Sequence, residues 1–126
     1  NISLTGLEGQ NLDFNDYKGK KVVLNFWAAY DAPSRVNNIK LSNYLKMNAS
    51  DVEFISISLD DNISVCKRTA LLDEIDMDSQ FCDAKGANSK TYKEFNLEKG
   101  FKSYLIDEYG VIKAIDLSTD KLRELL

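Results

Sequence analysis

Two runs of β-branched and aromatic residues constrain this chain most: Lys21-Val22-Val23-Leu24-Asn25-Phe26-Trp27 and Val52-Glu53-Phe54-Ile55-Ser56-Ile57. Near-continuous apolarity over a short run marks a strand covered on both faces, the usual state of a central strand in an α/β sheet. Between the runs, Asp31-Ala32-Pro33-Ser34 has the form of a helix start. Asp accepts a hydrogen bond from a free amide of the first turn. Proline fits that turn because its missing N–H would have no partner there. The helix is expected to reach about Met47, with Val36, Ile39, Leu41 and Leu45 as its apolar positions. A strand, a crossover helix and a second strand make a βαβ unit, which pairs its strands in parallel.

The rest of the chain extends this pattern. Ile2–Leu4 and Asn11–Asp13, with Gly6 and Gly9 between them, read as an N-terminal β-hairpin. Asp60-Asp61-Asn62 offers N-caps to a second helix through about Asp73, on which Ile63, Cys66 and Ala70 fall at i, i+3 and i+7. Ser79–Cys82 reads as a short strand and Asn88–Phe95 as a short helix. Ser103–Ile106 and Val111–Asp116 read as strands joined by the turn Asp107-Glu108-Tyr109-Gly110, and Thr119–Leu126 as a closing amphipathic helix. The expectation is an α/β fold: a central mixed sheet flanked by helices, with a hairpin in front. Its 126 residues suit one domain, 1–126. No stretch at the start reads as a signal peptide, and the opening on Asn1 rather than Met reads as a domain trimmed from a longer chain.

Composition removes several kinds of chemistry. The chain has no histidine, so neither Ser-His-Asp nor Cys-His catalysis is available, nor a His-ligated metal. Two cysteines alone cannot complete a structural zinc site, and no cofactor is expected. Sixteen Lys+Arg against twenty Asp+Glu give a net charge of −4. With no basic run, binding to a nucleic acid or an anionic lipid surface is disfavoured. The longest apolar run is about six residues, far below the roughly 20 that cross a bilayer.

Asp16-Tyr17-Lys18-Gly19-Lys20-Lys21-Val22-Val23-Leu24-Asn25-Phe26-Trp27-Ala28 resembles the opening of a thioredoxin-like domain. The likeness is to thiol–disulfide oxidoreductases of the TlpA/ResA type, related to the alkyl hydroperoxide reductases, which read D-Y-K-G-K-x-V-x-x-N-F-W-A-x-W-C-x-P-C-R. Val52–Asp60 resembles the second core strand of that family, Tyr104-Leu105-Ile106-Asp107 its F-L-I-D strand, and Tyr109-Gly110-Val111-Ile112 the turn that follows. The resemblance spans nearly the whole chain and implies a thioredoxin fold. It also implies an extracytoplasmic, periplasmic setting in a bacterium.

At the family's redox centre the residues depart from the pattern. Asp31 stands at the nucleophilic cysteine and Ser34 at the resolving one, while Phe101 stands where the family has a cis-proline. Exchange needs a thiolate and a second thiol that resolves the mixed disulfide. Neither a carboxylate nor a hydroxyl supplies that. A cis bond before Phe101 would cost about 2.5–4 kcal/mol, so trans is expected. Asp31 is therefore read as a helix cap, with no catalytic residue at these positions.

Cys66 and Cys82 are the other candidates. In a βαβ unit the first turn of the helix and the last residue of the following strand lie at the same end of the sheet, which can make the two sulfurs neighbours. The plain expectation is two buried free thiols, with a structural disulfide or a working redox pair left open. Trp27, Tyr30, Phe101 and Tyr104 are expected to converge on the altered site, either as core and rim or as a groove for a peptide or protein ligand. Asp73, Glu74, Asp76 and Asp78 lack the spacing of a calcium loop and read as a solvated segment; Gly86 and Gly100 are isolated and form no phosphate loop. The leading functional expectation is a redox-inactive binding or scaffold module. The alternatives are an oxidoreductase acting through Cys66 and Cys82, and a purely structural domain of a multidomain protein.

Overall fold

The computed structural model describes residues 3–49 and 51–126. Strands β1 (Ser3–Thr5) and β2 (Asn11–Asp13) pair as the expected hairpin, and Ile2, placed in the first strand by its sequence, lies outside the described residues. Then follow β3 (Val22–Trp27), α1 (Ala32–Asn48), β4 (Glu53–Ser58), α2 (Ile63–Leu72), β5 (Gln80–Cys82), α3 (Lys90–Glu94), β6 (Ser103–Ile106), β7 (Ile112–Ile115) and α4 (Thr119–Leu125). Five of these strands form one sheet in the order β5-β4-β3-β6-β7. β3 and β5 run parallel to β4, while β6 runs antiparallel to β3 and β7 antiparallel to β6.

Alternation along the strands divides the apolar residues between two cores. Leu24, Phe26, Ile55, Ile57, Phe81 and Tyr104 share one face, closed by Leu12 of the hairpin and Leu97. Val23 and Leu105 share the other, against Leu41 and Leu45 of α1 and Leu122 of α4. Each such side chain taken fully from water contributes about 1.5–3 kcal/mol.

The face under α1 departs from the expectation of strands apolar on both sides. Ser103, Asn25, Ser56 and Gln80 stand in one register row across β6, β3, β4 and β5, and all four are buried. Asn38 of α1, fully enclosed, satisfies the middle of this row. Its Oδ1 accepts from Asn25 Nδ2 at 3.0 Å and from Ser56 Oγ at 2.6 Å, and its Nδ2 donates to Gln80 Oε1 at 3.4 Å. A buried polar row is tolerated only when its members are bonded to one another. It rotates α1 so that the buried stripe is Ser34, Asn38, Leu41 and Leu45, while Val36, expected inside, is exposed.

Two further expectations change. Ile63 is exposed, so the buried stripe of α2 is Cys66, Thr69 and Ala70. The solvated acidic segment is partly structural: Asp73, the C-cap of α2, takes a bidentate pair from Arg35 of α1, Nε–Oδ2 at 2.8 Å and Nη2–Oδ1 at 2.6 Å. That hydrogen bond holds the Arg35 guanidinium above its ordinary value. It also offsets an acidic group placed at the negative end of a helix. Asp76 pairs with Lys46 at 3.3 Å.

Candidate functional site

The β3–α1 junction is built from oxygen and backbone groups. Asp31 takes an extended backbone and its Oδ2 accepts from Ser34 N at 3.1 Å, so it caps α1 as its sequence implies. The Ser34 hydroxyl donates to Asp31 O at 2.9 Å and accepts from Ala28 N at 3.2 Å. Ser34 is buried by these bonds. Phe101 follows Gly100, whose φ of +132° suits glycine. Among the described residues no peptide bond is cis.

The β4–α2 junction carries the sulfur. Asn62 caps α2 by accepting from Ser64 N at 2.8 Å, and Cys66 follows in the first turn, fully enclosed. Cys82 ends β5 in the same register row as Ser58 and Trp27. Cys66 and Cys82 form a disulfide with their Cα atoms 6.4 Å apart, inside the range such bridges span. The expectation of two free thiols is thus corrected. The crossover brings the α2 turn down on the end of β5, so residues 16 apart in sequence meet.

Oxygen atoms of residues 58–60 surround this bridge. Ser58 Oγ is 3.2 Å from Cys66 Sγ, and the Asp60 carbonyl is 3.6 Å from Cys82 Sγ. The Ser58 hydroxyl donates to Asp60 Oδ2 at 2.6 Å. Asp60, 4% exposed, also accepts from Ala29 N at 2.9 and 3.1 Å, tying the sulfur-bearing junction to the β3–α1 loop. The sequence offered Asp60 only as one of three N-cap candidates. Its partner is the loop after β3, which no local spacing shows.

The four aromatics named for a groove do not share one surface. Trp27 and Tyr104 are interior, and Trp27 Nε1 has no hydrogen-bond partner among the described residues. Tyr30, 71% exposed, and Phe101 do meet, with ring centroids 6.1 Å apart, and Tyr92 of α3 adds a second edge contact to Phe101 at 6.5 Å. Desolvation, then Tyr92, Asp60, Asp31 and Asp61, push the Tyr30 phenol above its ordinary value. Beside Phe101 a shallow cleft of about 470 Å³ runs between Asp31, Pro33, Gly100 and Lys102.

A βαβ core with an antiparallel β6–β7 edge, and a disulfide at the carboxyl end of its parallel strands, defines a thioredoxin-fold protein with a cysteine pair. The AhpC/TSA family profile matches residues 1–115, and the chain belongs to that family. It is 30% identical, over its whole length and 73% of the relative, to the thiol-disulfide oxidoreductase ResA of Bacillus thuringiensis subsp. konkukian. Among solved structures, a thioredoxin-like protein from Parabacteroides distasonis shares 40% identity at a TM-score of 0.81, covering 85% of this chain and 79% of that one. A thiol-disulfide oxidoreductase from Bacteroides fragilis shares 27% identity at 0.83, covering 99% and 96%.

These findings correct the leading expectation of a redox-inactive binding or scaffold module. Asp31 and Ser34 leave one junction without thiols, but the chain does not lack a cysteine pair. Cys66 and Cys82 are bonded one junction away, and oxidoreductases match this chain along its length.

Proposed function

We propose that this protein is a thiol–disulfide oxidoreductase whose exchanging pair is Cys66–Cys82. The observation that carries the reading is the disulfide itself, at the end of the sheet where helices α1 and α2 begin. Of the two sulfur-bearing residues Cys82 retains some exposure, 7%, and Cys66 none, so an incoming thiolate attacks Cys82.

In the oxidising direction a substrate thiolate bonds to Cys82 Sγ and the Cys66–Cys82 bond breaks, with Cys66 leaving as thiolate. The second substrate thiol, as thiolate, then attacks the substrate sulfur. Substrate disulfide is released, and Cys82 leaves as thiolate. Two electrons pass from the substrate dithiol to the protein disulfide, and the two thiolates take up the protons the substrate gave. Run backward, the reduced pair reduces a substrate disulfide. The substrate is a protein or peptide thiol, and the Tyr30–Phe101 edge pair at the β3–α1 loop is its contact surface. A bacterial extracytoplasmic location fits, because disulfides persist in oxidising compartments.

The test is the reduction of insulin by dithiothreitol, followed by turbidity, with wild type, Cys66→Ser and Cys82→Ser in parallel. Wild type is expected to accelerate precipitation and both variants to match the reductant alone. Wild type at the reductant's own rate, or a variant as active as wild type, overturns the proposal.

A further inference from the structure

Ser58 ends β4 and Asp60 follows two residues on, both beside the Cys66–Cys82 bridge. Ser58 Oγ lies 3.2 Å from Cys66 Sγ and donates onward to Asp60 Oδ2 at 2.6 Å, so sulfur, hydroxyl and carboxylate form one chain. All three residues are buried: Ser58 and Cys66 have no exposure and Asp60 has 4%. Bulk water therefore does not reach Cys66, yet its thiol must lose a proton each time the disulfide closes. In the disulfide state the sulfur carries no proton, and the Ser58 hydroxyl points its own at the carboxylate. In the dithiol state Cys66 S–H has an acceptor already in place.

We infer that Asp60 is the positioning residue that, through the Ser58 hydroxyl, takes the proton Cys66 gives up as the disulfide closes. The inference rests on Cys66–Cys82 as the exchanging pair. In the mixed-disulfide state Cys82 is bonded to a substrate sulfur and Cys66 is a thiol. The Cys66 proton passes to Ser58 Oγ while the Ser58 proton passes to Asp60 Oδ2. The freed Cys66 electron pair attacks Cys82 Sγ, the Cys66–Cys82 bond forms, and the substrate leaves as a thiolate carrying the pair of the broken bond. Protonated Asp60 then returns its proton to solvent. In the opposite direction it returns that proton to the departing Cys66.

Asp60 shares the field of the Tyr30 phenol in the β3–α1 loop, has Asp61 next to it in the chain, and lies at the strand end where Asp83 N bonds Ser58 O and the Asp60 carbonyl lies 3.6 Å from Cys82 Sγ. The cations of α2, Lys67 and Arg68, are exposed. Among these groups the Ser58 chain reaches Asp60 directly. A purely structural role for Asp60 would be to hold the Ala29 amide, and an amide side chain can still accept that bond.

The test uses reduced protein mixed with excess 5,5′-dithiobis(2-nitrobenzoate). The first equivalent of coloured thiolate reports the mixed disulfide. The second, released in a phase independent of reagent concentration, reports ring closure. Rates are taken from about pH 5.5 to about pH 9.5, spanning the free-thiol pKa of about 8.5.

Asp60→Asn is expected to slow the second phase about 100-fold near neutral pH, in line with a lost general base. The deficit should close as hydroxide itself supplies the thiolate at alkaline pH. Ser58→Ala, which breaks the relay with the carboxylate intact, should show the same convergence, and Asp61→Asn should follow wild type. A deficit equal at every pH, or Asp60→Asn within about twofold of wild type throughout, overturns the inference. If Asp60→Asn does not fold, the Ser58→Ala profile decides it on the same criteria. Ring closure needs no protein substrate, so its outcome is separate from the insulin result.

Discussion

The β3–α1 and β4–α2 junctions are the same architectural event with different chemistry. Each is a parallel strand ending at one edge of the sheet and feeding a helix whose first turn is capped by an acid or amide, Asp31 in one case and Asn62 in the other. At the first, the residue three positions past the cap is Ser34, whose hydroxyl is spent on Asp31 O and Ala28 N. At the second, the residue four positions past the cap is Cys66, bonded across to β5. The difference teaches that the fold offers more than one place to hold a reactive group at this edge. The helix start supplies position and partial positive charge, and the side chain supplied there decides the chemistry. Asp60 couples the two places, because one carboxylate holds the Ala29 amide of the first and the Ser58 hydroxyl of the second.

Removing the bridge should separate the junctions most. Cys82→Ser is expected to end thiol exchange and, by freeing a loop spanning 16 residues, to lower stability by about 3 kcal/mol. Guanidinium unfolding without reductant reads this, and wild type treated with reductant should approach the variant. A variant as stable as the oxidised wild type would remove the bridge from the account of stability.

Next comes the other tie on α2. Arg35→Ala leaves Asp73, whose side chain is 6% exposed, without its bidentate partner. The expected loss is about 1–3 kcal/mol, the cost of an unsatisfied buried polar group, read from the urea midpoint. An unchanged midpoint would mean that Asp73 finds water instead.

The smallest effect belongs to the oxygen-built junction. Asp31→Ala should cost about 1 kcal/mol through the lost cap while leaving insulin reduction at the wild-type rate. An activity loss comparable to that of Cys66→Ser would break the contrast, since it would place Asp31 in the exchange itself.

Much of the fold is legible in the chain. The strand Ser103–Ile106 and the turn Asp107–Gly110 fall where the residues place them, the turn with Gly110 at φ +81°. The short helix expected over Asn88–Phe95 is present as α3, shorter than expected and preceded by a 3-10 turn at Gly86–Asn88, with Ser89 as its cap through a bond from Tyr92 N at 2.8 Å. At the site, the capping role of Asp31 was readable because it depends on four consecutive residues. The state of the cysteines was not: free thiols were the plain expectation, because a 16-residue separation carries no sign that α2 and β5 bring the two sulfurs together. Asn38 was passed over for the same reason that Val36 was favoured: an apolar stripe was sought on α1, and nothing local shows that the sheet beneath carries Asn25, Ser56 and Gln80.

By itself the sequence determined the order of strands and helices, the Asp31 cap of α1, and the absence of imidazole from any chemistry. Those depend on short-range rules: side-chain period, amide capping, the fixed φ of Pro33 and the positive φ that Gly110 permits. Only the tertiary structure decided that Cys66 meets Cys82, that Ser58 lies between sulfur and Asp60, and that Asp60 reaches Ala29. These contacts follow from strand register and from where the β4–α2–β5 crossover sets the first turn of the helix. Such long-range packing geometry leaves no periodic trace along the chain.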